Sequence, residues 1–325
     1  MKKPFILIIV LIALLAVIIF FIKSNQPASE PQDVNDKKIK VVTTLFPLYD
    51  IAKNIGGDDV SVSLLLDPGI EAHSFEPTPS DMMEISQADV FIYTGSFMEI
   101  WAEDILKSIN NPDLLIIDAS QSINLIENND NHEEEGAHHE EEDADPEHEG
   151  VDPHIWLDFD NLKTMVNNIN DGLKTKATDN QEDFELRAAN YIDRISLLDK
   201  KYREELNNCQ QKSIIYSGHY AFAYLAKRYN LGYSSAYGLS PNSEPNASTL
   251  VSLAEQLKKT NAGYVFQEEL ISPRVAEVLE KETGAQILTL SAAHNLSRQD
   301  LDTGKTLFSV FEDNLKNLKL GLNCR

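Results

Sequence analysis

From Ile39 onward, short apolar runs alternate with stretches in which apolar residues recur at helical spacing. The runs Ile39–Thr43, Val60–Leu66, Val90–Tyr93 and Leu114–Ile117 read as strands, and Leu48–Ile55 as a helix ended by Gly56 and Gly57. Asp67-Pro68-Gly69 marks a turn. Thr78 followed by Pro79 and Asp81 starts a further helix, with threonine as cap, proline at the first position and an acid in the first turn. Leu162–Leu173 is helical. Glu182–Asn207 holds neither glycine nor proline and predicts one helix of about 38 Å. The alternation then resumes: strands at Ser213–Tyr216, Tyr264–Phe266 and Gln286–Leu290, and helices at Tyr220–Tyr229, Leu250–Thr260, Pro273–Thr283 and Phe308–Leu320. Strands alternating with helices on both sides of a long helix predict an α/β protein. It has two lobes, 39–181 and 208–325, with mainly parallel sheets, joined by one rigid helix over 182–207.

Two segments break this pattern. Phe5–Ile22 carries no charged or polar side chain, and eighteen residues at helical rise cover about 27 Å, close to a bilayer core. The run is longer than the usual apolar region of a signal peptide, which is about 7–15 residues, and no small-residue cleavage pattern follows it. No cysteine follows it to accept a lipid. The expectation is an uncleaved anchor over 1–23, with a cleaved signal segment as the rival. Lys2 and Lys3 would stay inside and the rest of the chain outside. Residues 24–38 read as a tether. The second segment, 127–150, combines twelve acids and four histidines with no apolar side chain larger than alanine apart from Pro146. It cannot bury enough surface to offset its ordering entropy, so a disordered loop is expected.

Composition narrows the function. Acids outnumber bases 52 to 28, a net charge of −24, so nucleic acid is an unsuitable partner. Two cysteines exclude a disulfide-built miniprotein and a four-thiolate zinc site. The chain has no H-E-x-x-H, no G-x-S-x-G and no phosphate-cradling glycine loop.

Eight histidines remain as candidate chemistry. His132, His138, His139 and His148 lie in the acidic segment. His73, His219 and His294 each follow an apolar strand, where ligands bind in open α/β sheets. His154 sits in Asp152-Pro153-His154-Ile155-Trp156-Leu157-Asp158. Taken singly, each is an ordinary loop histidine; together they suit Zn²⁺, which takes imidazole nitrogen at about 2.0–2.1 Å. His219 falls in the first turn of the expected Tyr220 helix, whose positive end would leave the ring neutral and able to bind metal.

Three stretches carry a resemblance. Asp67-Pro68-Gly69 with His73-Ser74-Phe75-Glu76-Pro77-Thr78-Pro79-Ser80-Asp81 is the first; the Asp152–Asp158 heptad and Ser217-Gly218-His219-Tyr220-Ala221-Phe222 are the others. Together they resemble the signatures of the metal-binding (solute-binding) subunits of zinc and manganese ABC importers, cluster A-I. The resemblance runs from about Lys40 to the C-terminus. It implies two α/β lobes with the metal in the interlobe cleft, three ligands at His73, His154 and His219, and an ABC permease as partner. The chain would act as a monomer and a non-catalytic receptor. Family members take a fourth ligand after the last core strand. His294 is the expected residue there, with Asp300, Asp302, Glu268 and Glu269 as carboxylate alternatives. A set of imidazoles favours Zn²⁺ over Mn²⁺, which prefers carboxylate and water oxygens.

Other readings stay open. A zinc hydrolase would need a water on the metal and a nearby base, for which Glu76 is the candidate. An adhesin role is neither supported nor excluded. The acidic segment is either a solvated insert or a weak zinc trap. Cys209 and Cys324 are either free thiols or, in an oxidising compartment, a bridge tying the C-terminus to the start of the second lobe.

Overall fold

The computed structural model describes residues 38–127, 150–177, 180–239 and 245–325. The expected anchor, nearly all of the tether and the acidic segment between Glu127 and Gly150 lie outside them. Among the described residues no helix is long and apolar enough to cross a membrane.

Val41, Val42, Val90, Phe91 and Ile92 are buried whichever face they point to, as parallel strands between helical layers require. Strand β1 (Ile39–Thr43) pairs in parallel with β2 (Val60–Leu64) and with β3 (Val90–Tyr93). Strand β3 pairs with β4 (Leu115–Asp118), giving the order β2-β1-β3-β4. A second sheet repeats that order in β5 (Ser213–Tyr216), β6 (Gly232–Ser235), β7 (Tyr264–Gln267) and β8 (Gln286–Thr289), again all parallel, as β6-β5-β7-β8. In both sheets the chain departs in opposite directions from the two central strands. Their carboxyl ends therefore open a crevice at a topological switch point.

Helix α1 (Phe46–Gly56) follows β1, and α2 (Pro79–Ser86) starts at Thr78 with a full capping box to Asp81. Then come α3 (Ala102–Ser108), α4 (Phe159–Lys176) and the long α5 (Gln181–Leu206), 26 residues or about 39 Å. Helix α5 buries Phe184, Ala188, Tyr191, Ile195, Leu198, Tyr202 and Leu206, a single stripe at spacings of three and four. Polar contacts pin that stripe at intervals. The Tyr191 hydroxyl donates to Asp50 Oδ2 at 2.6 Å, and Arg187 donates to Asp59 at 2.7 Å. Near the other end, the Tyr202 hydroxyl donates to the Phe311 carbonyl at 2.6 Å. Phe311 belongs to the last helix, α10 (Leu307–Gly321), after α6 (Ala223–Arg228), α7 (Ala247–Thr260), α8 (Arg274–Thr283) and the short α9 (Arg298–Asp302). One apolar cluster runs without a break from Val41 and Ile51 through Trp156 and Leu198 to Ile214, Phe266 and Leu318, so both sheets share a core.

Some boundaries differ from the sequence expectation. Strand β6 was not foreseen: Gly-Tyr-Ser-Ser is a polar edge strand with no apolar run. Helices α3 and α9 are too short for periodicity to show. Helix α6 begins at Ala223 rather than Tyr220, because His219 to Phe222 run as a loop along the crevice. Cys209 and Cys324 form a disulfide, and their residues pair as an antiparallel bridge that closes the chain end onto the second sheet's entry.

Candidate metal centre

Each sheet delivers histidines to the crevice. His73 lies in the loop between β2 and α2, and His154 immediately precedes the 3-10 turn Ile155–Leu157. His219 follows β5 by three residues, and His294 lies in the segment after β8. The Nε2 atom of His154 stands 3.2 Å from His73 Nε2 and 3.0 Å from His219 Nε2. Those three rings each offer a nitrogen within 4.8 Å of the others'. A tetrahedral zinc with bonds of about 2.05 Å separates its ligand nitrogens by about 3.3 Å. The spacing found is close to that.

Two buried carboxylates turn the rings inward by the same device. Asp152 Oδ1 accepts both the backbone N–H of His154 (3.0 Å) and its Nδ1 (2.8 Å). Glu268 Oε2 does the same for His219, at 3.0 and 2.7 Å. In each pair the same oxygen already accepts a backbone N–H, so it is an acceptor toward the ring as well; Nδ1 carries the proton in both rings and the Nε2 lone pairs point at the centre. Two lone pairs facing each other at 3.0 Å call for a cation between them. Glu268 reaches His219 because β5 and β7 are neighbours, and because Gly218 leaves room: a Cβ there would collide with the Glu268 carboxylate and the Tyr216 ring.

Electrostatics point the same way. Burial, followed by the neighbouring imidazoles, pulls His73 and His154 well below the ordinary histidine value. Burial and His219 also lower His294. These three rings are thus held in the neutral, ligating form. Burial pushes the Asp152 carboxyl up to about 7, although the His154 backbone N–H and His219 oppose it. The outer oxygens of Asp152 and Glu268 are buried without a partner.

His294 joins the group less closely. Its ring centre lies 5.6 Å from that of His219 and 6.2 Å from that of His73. Its Nε2 stands 3.9 Å from Glu71 Oε2, and its buried Nδ1 has no partner. Among the carboxylate alternatives, Glu268 stands behind His219, holding the ring. Asp300 accepts from Ser297, the cap of α9, and faces Lys305 at 3.5 Å. Asp302 is exposed, and Glu269 faces a surface hollow with Lys305 and Asp313. Glu76 is exposed.

One sequence argument does not survive. His219 lies outside α6, four residues ahead of its first residue, so the positive helix end is not what governs its ring; Glu268 holds it instead. Sequence reasoning gave Asp152 and Glu71 no role. Asp152 was within reach, since an acid two residues before a histidine is the spacing of a side-chain-to-backbone turn. Glu71 lies two residues before His73 and accepts its backbone N–H at 2.8 Å, the same spacing again.

The chain is 34% identical over 325 residues to the zinc-binding protein AdcA of Streptococcus pyogenes, an alignment covering 98% of this chain. It spans only 62% of that relative's length. It is 34% identical to the high-affinity zinc uptake system protein ZnuA of Bacillus subtilis, with 91% of each chain covered. The crystal structure of the Zn(II)-bound ZnuA-like domain of Streptococcus pneumoniae AdcA superimposes with a TM-score of 0.73 at 34% identity, covering 88% of this chain and 99% of that one. Residues 41–321 match the family model described as zinc-uptake complex component A, periplasmic, and that stretch holds all four crevice histidines and all but the first two residues of the two sheets, so the chain belongs to the ZnuA family.

Proposed function

We propose that this chain is an extracytoplasmic receptor that captures Zn²⁺ with high affinity and delivers it to an ABC permease. The observation that carries this reading is the inward convergence of the His73, His154 and His219 nitrogens, two of them aimed by buried carboxylates. In this reading His73, His154 and His219 ligate the ion and His294 closes the fourth position by a small movement of its ring. The lobes 39–181 and 208–325, joined by 182–207, form the two walls of the crevice. Zinc is the cargo rather than a resident cofactor. An imidazole set selects it over Mn²⁺. The names of the two relatives above, a zinc-binding protein and a zinc uptake system protein, support the same choice.

The receptor is non-catalytic in this proposal. Four protein ligands leave no position for a reacting water, and the one candidate base, Glu76, is exposed on the surface. The apolar run Phe5–Ile22 holds the chain at the membrane, since both cysteines, at 209 and 324 in the sequence, are engaged in the disulfide. The acidic segment with its four histidines would raise the local zinc concentration by loose binding. The protein acts as a monomer.

Competition titration against a chromophoric zinc chelator tests the reading. The expected result is one tight Zn²⁺ per chain, with Mn²⁺ unable to displace it at equal concentration. Deleting 130–149 should lower total zinc bound and leave the tight site intact. Loss of the tight site on that deletion, or preference for Mn²⁺, would refute the assignment.

A further inference from the structure

The segment Ala292–Leu296 is sewn to the opposite lobe almost entirely through backbone. The Ala292 carbonyl accepts from Trp156 Nε1 at 2.7 Å, and the His294 carbonyl accepts the Phe46 N–H at the start of α1 at 3.2 Å. The Leu296 carbonyl accepts the Gly69 N–H at 2.9 Å. Gly69 presents that N–H from a left-handed turn, with φ at 85°, which a side chain would disfavour. One residue of the segment contributes a side-chain bond across the crevice. Asn295 is 2% exposed and its amide donates to the carbonyls of both Asp67 and Ile70, each at 2.8 Å. Its own oxygen accepts the Leu296 N–H at 2.8 Å, so the amide's orientation is set rather than free.

The residues joined in this way bracket the candidate ligands. Asp67–Ile70 is the turn that leads into His73, and Asn295 follows His294 directly. Glu71, in the same turn, faces both: one oxygen accepts the His73 backbone N–H and the other stands 3.9 Å from His294 Nε2. Ala293, just before His294, holds a left-handed φ of 63°, which a non-glycine residue keeps only when its surroundings impose it.

We propose that Asn295 is a positioning residue that makes the His73 turn and the His294 segment open and close as one unit. This deepens the zinc-receptor reading and rests on it for its effect on metal. The ion would then lose the ligand of one lobe and the ligand of the other together. Release becomes a single concerted opening, not the stepwise loss of one arm. Without the amide, the ties described between the turn and the segment are the Gly69 N–H, the His294–Glu71 contact at 3.9 Å and an exposed ion pair just beyond the segment, Arg298 with Asp67 at 3.8 Å, which holds little. His73 would then leave by itself.

Two readouts on Asn295→Ala and on Asn295→Asp, which keeps the shape and turns an oxygen toward the two carbonyls, test this. The first is native-state hydrogen exchange of the zinc-free protein. In the wild type, amides of 69–73 and 293–296 should share one protection factor, as members of one opening unit do. In both variants the 69–73 amides should exchange about tenfold faster or more, with β1 and β5 unchanged. The second is zinc release into excess chelator, expected to speed by about tenfold or more. Equal protection in variant and wild type would overturn the proposal. So would exchange raised alike across the chain, which would mark Asn295 as merely structural, and so would an unchanged release rate beside faster loop exchange. A wild type that binds no zinc would defeat the receptor reading, while the exchange experiment would still judge the latch.

Discussion

The Nε2 atoms of His154 and His219 stand 3.0 Å apart, and behind each ring a buried carboxylate accepts a hydrogen bond from Nδ1–H. Asp152 comes from the segment entering the 3-10 turn and Glu268 from the end of β7, so the two lobes arrive at the same solution independently. Removing either carboxylate frees a ring to rotate away from the centre. Asp152→Ala and Glu268→Ala should each weaken zinc about 10- to 100-fold in chelator competition. Asp152→Asn keeps an acceptor at Nδ1 and should lose less. An Asn variant as weak as the Ala variant would mean that charge, rather than orientation, is what Asp152 supplies.

The four histidines should not be equal. His154 and His219 are fully buried and aimed, whereas His294 stands further out with its Nδ1 unpartnered. His154→Ala and His219→Ala are expected to abolish tight binding. His294→Ala should leave a measurable site weakened by a smaller factor. Isothermal titration of each variant reads this order, and a loss from His294→Ala equal to that from His154→Ala would place His294 among the primary anchors.

A further buried acid gives a pH prediction for stability. Glu99 is 3% exposed beside the carboxyl ends of β1 and β3. It accepts from the Thr44 hydroxyl and from the backbone N–H groups of Thr94 and Gly95. Burial outweighs those bonds and pushes its carboxyl up to about 7. The folded state therefore keeps a proton that the unfolded chain gives up near its ordinary value of 4.5. That contribution is full below about 4.5 and is lost as pH rises through about 7. Glutamine imitates the protonated acid. Glu99→Gln should gain on the wild type by up to about 3 kcal/mol between those limits, read from urea melts of the zinc-free protein. Parallel stability curves for the two proteins would show that Glu99 stays ionised when folded.

Much of this architecture is written in local pattern. The capping box at Thr78 and Asp81 and the stripe along α5 are both signals within one or two turns of chain. Strand β6 escaped because an edge strand half-open to solvent needs no apolar run. The crevice histidines were visible as residues placed after strands, and their motifs carried the family resemblance. What holds them was not visible. Glu268 meets His219 across 49 positions of sequence, and Asn295 meets Asp67 across 228, through sheet order and lobe closure that no short window contains. The helix expected at Tyr220 failed for a related reason. The His219–Phe222 backbone is claimed by tertiary partners, among them Tyr233, whose hydroxyl accepts the Ala221 N–H and donates to the His219 carbonyl.

The disulfide closes a large loop. Cys209 and Cys324 are 115 positions apart, and in the chain-entropy account a loop of that length stabilises by roughly 4–5 kcal/mol. Reduction, or Cys209→Ser with Cys324→Ser, should lower the Tm by about 10 °C. Zinc affinity should change little, because the bridge sits at the base of the second sheet and the histidines lie beyond the carboxyl ends of its strands. A large fall in affinity on reduction would show that the C-terminal tie also sets the crevice.

Removing the metal should change the crevice loops and not the angle between the lobes. Helix α5 packs against α4, α1 and α10, and the apolar cluster passes from one sheet to the other without a gap. A wide hinge would have to expose part of that shared core, at about 25 cal/mol for each Å² of apolar surface uncovered. Loops bound mainly by hydrogen bonds at the crevice rim have no such cost. Small-angle scattering should give radii of gyration for the zinc-free and zinc-loaded protein that agree within about 1 Å, whereas lobe rotation of the hinged kind would move them apart. In the same pair of samples, protease sensitivity should rise near 67–75 and 292–297 and not elsewhere when zinc is withdrawn. Expansion of the whole particle would mean that α5 bends, and that release proceeds by lobe opening after all.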